Sequence, residues 1–573
     1  MNSIRNSPGR PSLIFFMLVL LAAAAVPGRA QVQTDVPALK DVYANDFIIG
    51  CLLSYPHIGF PDDPRVPGQG AVVAPQGGEL IRHHMNSMSP GNNMKPQYTV
   101  DLAASAAAYN AASAEDRDSV DTHPVVRFNG NLIAQLNWAQ RQGFTFRGHT
   151  LVWHNQTPGT GFFRTGYAAS AERLSPERMT KRMDRYIGEV IRLLHEGWPG
   201  MVTAMDVVNE AVDESGSDRT TNNEWHTTYG DNSYIRKAFE SARKYTILYG
   251  ENQMKLYYND YNTHSASKAN GIVRICGPLF QAGVLDGIGM QEHDGLSSPT
   301  AAQWIASYDK FTAVCSEMAV TELDVTTGSP RPDSATLERQ ANQYGQLFKC
   351  FVERSYFSGR GKIISVSKDG LNDQYTFKTE QSSSLWTANY RCKPAFFDVV
   401  AVGRGYNTLD SLLAQCDTLQ EARYTAESWA DFAAARDAAL AAMAANYSAS
   451  ISAADGLTGA VDGLLAALGG LVSATDTVRQ NRTSGPSFYA LDPVWPNPFN
   501  PAATVPYTVP RTGSVSIRLY DSGGRRVATV FEGVRPAGRY EAVIDGTGIP
   551  SGVYFCRMEA GDFTAVRKVS LVK

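Results

Sequence analysis

The chain has 573 residues, of which 43% are hydrophobic and 19% are charged, and its formal net charge is −4. This balance is typical of globular proteins and excludes general disorder, and the lack of a basic excess argues against a nucleic-acid partner. Seven cysteines are too few for a disulfide-built scaffold, and their odd number leaves at least one without an intrachain partner. The length predicts roughly three or four domains.

The N-terminal segment has the pattern of an export signal. Arg5 and Arg10 precede the apolar run 13–26, which is short for a membrane span, and small residues precede a cleavage position at Ala30. Residues 1–30 are therefore interpreted as a signal peptide, with a retained membrane anchor as the alternative. No later segment is long and apolar enough to span a membrane, so we expect a secreted or cell-surface protein with no transmembrane span in the mature chain.

Residues 31–405 predict an α/β fold. Short apolar runs, such as those at 47–50, 144–146 and 318–320, alternate with segments of helical pattern. Such alternation favours βα units around a parallel sheet. The length of this region suits a single (β/α)8 TIM barrel with insertions.

Residues 408–472 have a different composition, in which alanine dominates. The spacing of their larger apolar residues predicts helices near 408–420, 428–445 and 450–472, which would form a small α-helical bundle. Residues 473–486 are polar and are interpreted as a linker.

Residues 487–573 change to a period of two. Val515, Ile517 and Leu519 alternate with polar residues, and the turn-forming sequence DSGG follows at 521–524. Further strands separated by turns are predicted up to the C-terminus. This pattern is typical of an immunoglobulin-like β-sandwich.

Two glutamates lie at the ends of predicted barrel strands. Glu210 closes the run DVVNE at 206–210, and Glu322 lies within VTELDV at 320–325, so they fall on strands 4 and 7 of the barrel. The active sites of such barrels form at the C-terminal ends of the strands. A pair of carboxylates that meets there suits the cleavage of a glycosidic bond, because one group can protonate the leaving oxygen while the other attacks.

Six short motifs follow one another along residues 45–405: RGHTLVWH at 147–154, DVVNEA at 206–211, YNDYN at 258–262, DGIGMQEH at 286–293, TELD at 321–324 and KPA at 393–395. In these motifs, their order and their spacing, the chain resembles glycoside hydrolase family 10, the endo-β-1,4-xylanases. The resemblance implies an enzyme that hydrolyses xylan or xylo-oligosaccharides with retention of configuration and needs no cofactor.

The resemblance also implies a role for each of five catalytic residues. Glu210 matches the family's acid/base and Glu322 its nucleophile, so their carboxyl groups should lie about 5–5.5 Å apart. His293 matches a histidine that hydrogen-bonds the nucleophile, and Asp324, two residues beyond Glu322 on one strand, can orient that histidine. Asn209 matches the residue that contacts the sugar 2-hydroxyl.

Six further residues match the walls of the glycone side of the cleft, where polar groups contact hydroxyls and an aromatic face meets a sugar ring. They are Asn92, Lys95, His149, Trp153, Gln156 and Gln291. No metal site is predicted, because the chain has no H-E-x-x-H motif and the adjacent His83 and His84 would point to opposite faces of a strand.

Two other regions resemble known modules. The pairs Tyr424-Thr425 and Ser428-Trp429 give residues 408–472 a likeness to FIVAR modules, which implies a spacer or accessory role. The tail contains PNPFNP at 496–501 and SGVYF at 551–555, with Arg567-Lys568 near its end. In these features residues 487–573 resemble the C-terminal sorting domains of type IX secretion, which overlap with FlgD-like sandwiches. The implied partner is the type IX secretion machinery; a plain structural sandwich is the alternative.

The sequence departs from the family at the glycone side. Gly91 replaces a sugar-binding glutamate, and Asp369 and Phe377 stand where two tryptophans are expected. Trp386 is close enough along the chain to substitute in part. We therefore expect a −1 pocket that is more open than usual, with reduced turnover of short oligosaccharides or a broader substrate choice.

The leading interpretation is a secreted, retaining endo-1,4-β-xylanase that acts by double displacement. Two alternatives stay open from the sequence alone. One is a related β-glycan hydrolase with altered substrate choice, and the other is a catalytically weak glycan-binding protein at the cell surface.

Overall fold

The structure is a computed structural model that describes residues 32–53, 75–445, 447, 452–473 and 488–573. The predicted signal peptide lies outside the described residues, as does nearly all of the predicted linker. Within the described ranges no helix combines the length and the apolar character that crossing a bilayer requires.

Eight parallel strands form a closed barrel, which confirms the predicted (β/α)8 fold. The sheet runs in the order β6-β5-β4-β3-β2-β1-β9-β8 and is closed by pairing of β6 with β8; the short strand β7 extends only the end of β8. The strands are β1 (Ile48–Leu52), β2 (Ser87–Ser89), β3 (Thr145–Trp153), β4 (Val202–Asn209), β5 (Lys255–Asp260), β6 (Gly287–Met290), β7 (His293–Gly295), β8 (Glu317–Thr326) and β9 (Ile363–Asp369).

The register of the barrel aligns the polar ends of neighbouring strands. Trp153 of β3 lies opposite Asn209 of β4, which in turn lies opposite Asn259 of β5. Every residue of β8 from Glu317 to Val325 is buried, as expected for a strand covered on both faces. The register thus brings polar side chains of β3, β4 and β5 together at one rim of the barrel.

Helices surround the barrel, and several begin with local capping. Ser175 caps the helix that follows β3, with Pro176 at its first position, and Thr300 forms a capping box with Gln303. The helices are α1 (Leu39–Val42), α2 (Pro75–His84), α3 (Pro96–Thr99), α4 (Leu102–Ala111), α5 (Arg117–Asp121), α6 (Gly130–Gln142), α7 (Pro176–Gly197), α8 (Glu224–Tyr229), α9 (Ser233–Leu248), α10 (Ala266–Gln281), α11 (Ala301–Phe311), α12 (Ser334–Val352) and α13 (Pro394–Cys416).

The helical region differs from the predicted three-helix bundle. The helix expected near 408–420 is the end of α13, which runs unbroken out of the barrel, and two further helices follow, α14 (Ala426–Ala444) and α15 (Ala453–Gly469). Lys349 of α12 and Tyr406 of α13 both donate hydrogen bonds to the Met443 carbonyl, at 2.7 and 2.9 Å. The predicted border at 405–408 therefore falls inside one helix, and the helical region packs on the barrel.

The C-terminal region forms two antiparallel sheets, in agreement with the predicted β-sandwich. Val515, Ile517 and Leu519 are fully buried between them, so the period of two located the core face correctly. One sheet has β10 (Ala490–Leu491), β11 (Ala502–Val509) and β14 (Gly538–Asp545), and the other has β13 (Arg526–Arg535), β12 (Gly513–Tyr520), β15 (Gly552–Ala560) and β16 (Phe563–Leu571).

Candidate active site

A cleft of about 680 Å³ opens at the C-terminal ends of the barrel strands. Of the eleven site residues predicted from the sequence, eight line it: Asn92, Lys95, Trp153, Gln156, Glu210, Gln291, His293 and Glu322. The other three, His149, Asn209 and Asp324, are buried directly behind its wall. The cleft lies where catalytic groups of such barrels are found.

Glu210 is held by donors on three sides. It follows β4 in a left-handed backbone conformation with φ of 55°, and its N–H donates to the Asn259 carbonyl at 2.9 Å. Its carboxyl oxygens accept hydrogen bonds from Trp153 Nε1 at 2.9 Å, Gln291 Nε2 at 2.9 Å and Asn209 Nδ2 at 3.2 Å. These donors fix the direction in which the carboxyl group faces the cleft.

Asn259 connects the two glutamates, a role that the sequence analysis did not assign. Its side-chain amide donates to Glu322 Oε1 at 3.1 Å and to Asn209 Oδ1 at 3.0 Å, while Thr321 donates to its amide oxygen at 2.8 Å. The backbone of Asn259 meanwhile accepts from Glu210. Asn259 lies in the YNDYN motif, but only the register of β4 and β5 shows what it contacts.

Glu322 is held as a carboxylate. Burial acts to raise its pKa, but a hydrogen bond with His293 and the positive charges near it outweigh burial and lower the pKa to about 2. His293 Nε2 lies 3.5 Å from Glu322 Oε2, and His149 and Lys95 add to the positive field. A carboxylate ionised at every working pH suits a nucleophile.

His293 lies between two carboxylates. Its Nδ1 is 3.1 Å from Asp324 Oδ2, and the other oxygen of Asp324 accepts from Lys378 Nζ at 2.9 Å. Burial acts to lower the pKa of His293, but Asp324 and Glu322 outweigh it and raise that pKa well above its usual range. Since both ring nitrogens face acceptors, both carry a proton, and the ring is an imidazolium. Lys378 was not predicted from the sequence.

This arrangement predicts a pH effect for Asp324→Asn. Removing the carboxylate lowers the pKa of His293, so the alkaline limb of the kcat/KM profile moves to lower pH by about 1–3 units. The measurement is a pH–rate profile on an aryl xylobioside, with Asp309→Asn, an exposed position on α11, as the control. An alkaline limb that stays in place would show that the charge on His293 does not control activity.

His149 is fixed from behind rather than lining the cleft. Its Nδ1 lies 2.9 Å from Asp206 Oδ2, and Arg147 forms a buried ion pair with the same carboxylate. The Arg147 guanidinium also stacks 4.2 Å from the ring centre of Tyr257. Asp206 thus orients His149 and neutralises Arg147 in the barrel interior, which the sequence analysis did not foresee.

Three of the predicted wall residues form one polar group around Lys95. Its Nζ donates to Asn92 Oδ1 at 2.8 Å and to Gln156 Oε1 at 2.9 Å, and it lies 4.6 Å from the ring centre of Trp153. Burial lowers the pKa of Lys95, while Glu322 and Glu210 act in the opposite direction. These contacts present amide, ammonium and indole groups together, as sugar hydroxyls and ring faces require.

The three residues that depart from the family pattern all line the cleft, whereas Trp386 does not. Gly91, Asp369 and Phe377 line it, and Asp369 accepts from Thr376 Oγ1 at 2.7 Å and from the Phe377 N–H at 3.0 Å. The suggestion that Trp386 substitutes for a missing tryptophan is wrong: Trp386 is fully buried and packs on the rings of His84 and Phe396.

Phe377 is an exposed aromatic residue that lines the cleft. Its side chain is 70% exposed, and its ring centre lies 6.0 Å from that of His293. We predict that Phe377→Ala raises KM for xylotriose about tenfold with kcat little changed, because stacking on a sugar is lost in ground and transition states alike. Steady-state kinetics test this. The control is Phe357→Ala, which removes an exposed ring outside the cleft; equal KM values for wild type and Phe377→Ala would contradict the prediction.

A parallel eight-stranded barrel with two glutamates in one polar cleft at its C-terminal rim defines a barrel glycoside hydrolase. Residues 39–402 match the model of glycosyl hydrolase family 10, and the chain belongs to this family. The resemblance drawn from the six motifs is thereby confirmed.

Two curated relatives illustrate the likeness. Endo-1,4-beta-xylanase Y of Acetivibrio thermocellus is 31% identical over 399 residues, which cover 65% of this chain and 33% of that protein. A putative endo-1,4-beta-xylanase of Caldicellulosiruptor saccharolyticus is 31% identical over 320 residues, which cover 54% of this chain and 97% of that protein. The chain spans about a third of the length of xylanase Y and of a bifunctional xylanase from Ruminococcus flavefaciens.

Solved structures share the barrel. The CBM22-1–GH10 modules of a Clostridium thermocellum endo-1,4-beta-D-xylanase, complexed with xylohexaose, match with a TM-score of 0.53 and 30% identity over 64% of this chain and 67% of that chain. An intracellular xylanase from Thermoanaerobacterium saccharolyticum, in complex with xylotriose, matches with a TM-score of 0.51 and 26% identity over 64% of this chain and all of that chain.

The tail matches a second family model. Residues 493–572 match a secretion system C-terminal sorting domain, which agrees with the resemblance noted in the sequence. This domain indicates export of the chain to the cell surface or the extracellular space. The FIVAR-like character of residues 408–472 stays a prediction.

Proposed function

We propose that the chain is a secreted, retaining endo-1,4-β-xylanase that cleaves internal β-1,4-xylosidic bonds of xylan. The observation that carries this proposal is the contrast between the two glutamates of one cleft. Glu322 is held ionised, with a pKa of about 2, beside an imidazolium, whereas Glu210 faces the same cleft among neutral amide and indole donors. Glu322 is thereby suited to attack, and the acid/base role is assigned to Glu210 as the other carboxyl group of the cleft.

In the first step of the proposed mechanism, Glu322 attacks the anomeric carbon of the sugar. A bond forms between that carbon and a Glu322 carboxylate oxygen while the glycosidic bond breaks, and the Glu210 carboxyl proton passes to the leaving oxygen. Asn259 and His293 hold Glu322 in place for this attack. The product is a covalent glycosyl-enzyme ester, and Glu210 is left as a carboxylate.

In the second step, Glu210 accepts a proton from water as the water oxygen bonds to the anomeric carbon. The ester bond breaks, Glu322 returns to its carboxylate form, and the two inversions give net retention. The contact with the sugar 2-hydroxyl is proposed for Asn209 from the family resemblance, and its hydrogen bonds to Glu210 and Asn259 support a position next to the cleft. Lys95, Asn92, Gln156 and Trp153 would hold the glycone sugar.

Three lines support xylan as the substrate. The relatives reported above are described as endo-1,4-beta-xylanases, and the two matched structures hold xylohexaose and xylotriose. The cleft is open rather than enclosed by the described chain, as an enzyme that binds inside a polymer requires. Gly91 and Asp369 line the cleft in place of the glutamate and the tryptophan that the family resemblance leads us to expect, so we expect a lower kcat/KM on short xylo-oligosaccharides than on the polymer.

The first experiment compares products released from arabinoxylan and from carboxymethyl-cellulose. Xylo-oligosaccharides from arabinoxylan alone are the expected result. Equal release from both polymers would favour a β-glycan hydrolase of broader choice. No release from either, with retention of the protein on insoluble xylan, would favour a glycan-binding protein instead.

We further propose that the type IX secretion machinery recognises the C-terminal tail and exports the chain through the periplasm to the cell surface. The match of residues 493–572 to a sorting domain supports this partner. The domain limits 31–405, 408–472 and 487–573 remain part of this proposal, although α13 crosses the limit at 405–408.

A further inference from the structure

A second cluster of ionisable side chains lies beside the segment that carries His293. Glu292 and Asp294 flank His293 in the chain, and His264 follows β5. One ligand atom from each of these three residues lies within 4.8 Å of the other two. Asp294 is next to His293 on β7 and therefore points to the opposite side of the strand. Glu292 precedes β7 in a left-handed conformation with φ of 57°, and its carboxyl group lies beside that of Asp294. The proposed mechanism uses none of the three.

The cluster is buried and lacks partners among the described residues. Glu292 and Asp294 are each 2% exposed. Both carboxyl oxygens of Asp294, Oε2 of Glu292 and Nδ1 of His264 are buried, and no hydrogen-bond partner for them occurs in the described part of the chain. Thr263 satisfies the remaining oxygen of Glu292 at 2.8 Å. Three buried carboxyl oxygens without a donor are costly, unless a cation or a proton compensates them.

We propose that His264, Glu292 and Asp294 bind one divalent metal ion of the zinc class. An imidazole nitrogen and two carboxylates form a three-residue donor set, and water can complete a tetrahedral site. His264 Nδ1 and Asp294 Oδ1 are 4.0 Å apart. Two ligands of a tetrahedral ion with bonds of about 2.0 Å are about 3.3 Å apart, so we expect the two side chains to move slightly closer together when the ion binds. The imidazole ligand favours zinc over calcium or magnesium, which prefer oxygen ligands alone.

An ion at this position would connect two parts of the rim. His264 lies in the loop between β5 and α10, whereas Glu292 and Asp294 lie at the start of β7, whose His293 contacts Glu322. The metal would therefore stiffen the segment that positions His293, without touching the substrate. His264 is the part of the cluster nearest to solvent, with 17% of its side chain exposed, and provides the route of entry.

A shared proton is the competing occupant of the cluster. Burial raises the pKa of Glu292, and burial together with Glu292 raises that of Asp294 well above its usual range. A protonated pair would need no cation. The two occupants differ in a measurable way, because only a metal site binds added ions in a fixed ratio.

The test is calorimetric titration of Zn²⁺ into the full chain after treatment with a chelator and its removal. We expect saturable binding of one Zn²⁺ per chain, with at least tenfold weaker binding by His264→Gln and by Asp294→Asn. His123→Gln, which alters an exposed histidine just after α5, is the matched control and should bind as the wild type does. Circular dichroism of each variant shows whether it is folded. If His264→Gln or Asp294→Asn is unfolded, Glu292→Gln is titrated in its place.

Thermal unfolding of the unmodified chain tests the same proposal without variants. Zn²⁺ at about 100 times its Kd should raise Tm by about 5 °C, whereas Ca²⁺ at the same concentration should not. Absence of saturable Zn²⁺ binding, or binding that neither His264→Gln nor Asp294→Asn weakens, would overturn the proposal and leave the shared proton. Tighter binding of Ca²⁺ than of Zn²⁺ would also overturn it. These readouts do not depend on xylanase activity.

Discussion

Replacement of Glu322 by glutamine should lower kcat/KM for xylan by about 10⁴-fold or more. The amide keeps the volume of the carboxyl group but cannot form the covalent ester, so both steps of the proposed mechanism fail. KM should change little, because the residues that would hold the sugar remain. The measurement is reducing-sugar release from arabinoxylan by Glu322→Gln beside Glu338→Gln, an exposed glutamate on α12 that should behave as the wild type does.

A glycine variant tests whether Glu322 acts as the nucleophile. Glu322→Gly opens space on the face from which the carboxylate would attack, so azide should enter there and form an α-xylosyl azide from an activated aryl xylobioside. A hydrolytic rate in Glu322→Gln within tenfold of the wild type would contradict the nucleophile assignment, as would a β-azide from the glycine variant.

The second large effect is expected for Glu210. Glu210→Ala should lower kcat/KM for xylan by about 10²–10⁴-fold, because neither the leaving oxygen nor the attacking water exchanges a proton with the enzyme. A substrate with a good leaving group, such as a dinitrophenyl xylobioside, needs no proton in the first step. It should therefore give a fast burst of phenolate followed by slow turnover, which stopped-flow absorbance measures.

The control for Glu210 is Glu177→Gln, which alters an exposed glutamate in the first turn of α7 that does not line the cleft. Azide should restore turnover of Glu210→Ala and yield a β-xylosyl azide, since the covalent intermediate is attacked from the face where water normally enters. Equal losses for xylan and for the activated substrate, with no burst, would contradict the acid/base role.

The fold was predictable because its signals are local. Short apolar runs alternating with helical segments indicate βα units, and the alternation of Val515, Ile517 and Leu519 indicates a sandwich. The end of the barrel was not predictable in this way. The helical pattern near 408–420 looks the same whether it begins a new domain or continues α13, and only the packing of α13 on its neighbours decides.

The site shows the same division. Motifs indicated which residues converge on the cleft, and eight of eleven line it. The contacts of Asn259 and Lys378 with the catalytic carboxylates were not predicted, because they depend on strand register and on the path of the loop after β9. Trp386 was misplaced because nearness along the chain does not show which way a side chain points. The His264 cluster combines residues 28 and 30 positions apart, so no spacing rule for metal ligands could find it.

Trapping of the covalent intermediate tests the central claim most directly. A 2-fluoro xylobioside with a good leaving group slows both steps, and the second more than the first, so the enzyme should accumulate as a glycosyl ester. Mass spectrometry of the intact chain and of its peptides should then show one sugar per chain, attached at Glu322. A label on another residue, or hydrolysis of xylotriose to the inverted anomer with no label at all, would contradict a retaining mechanism through Glu322.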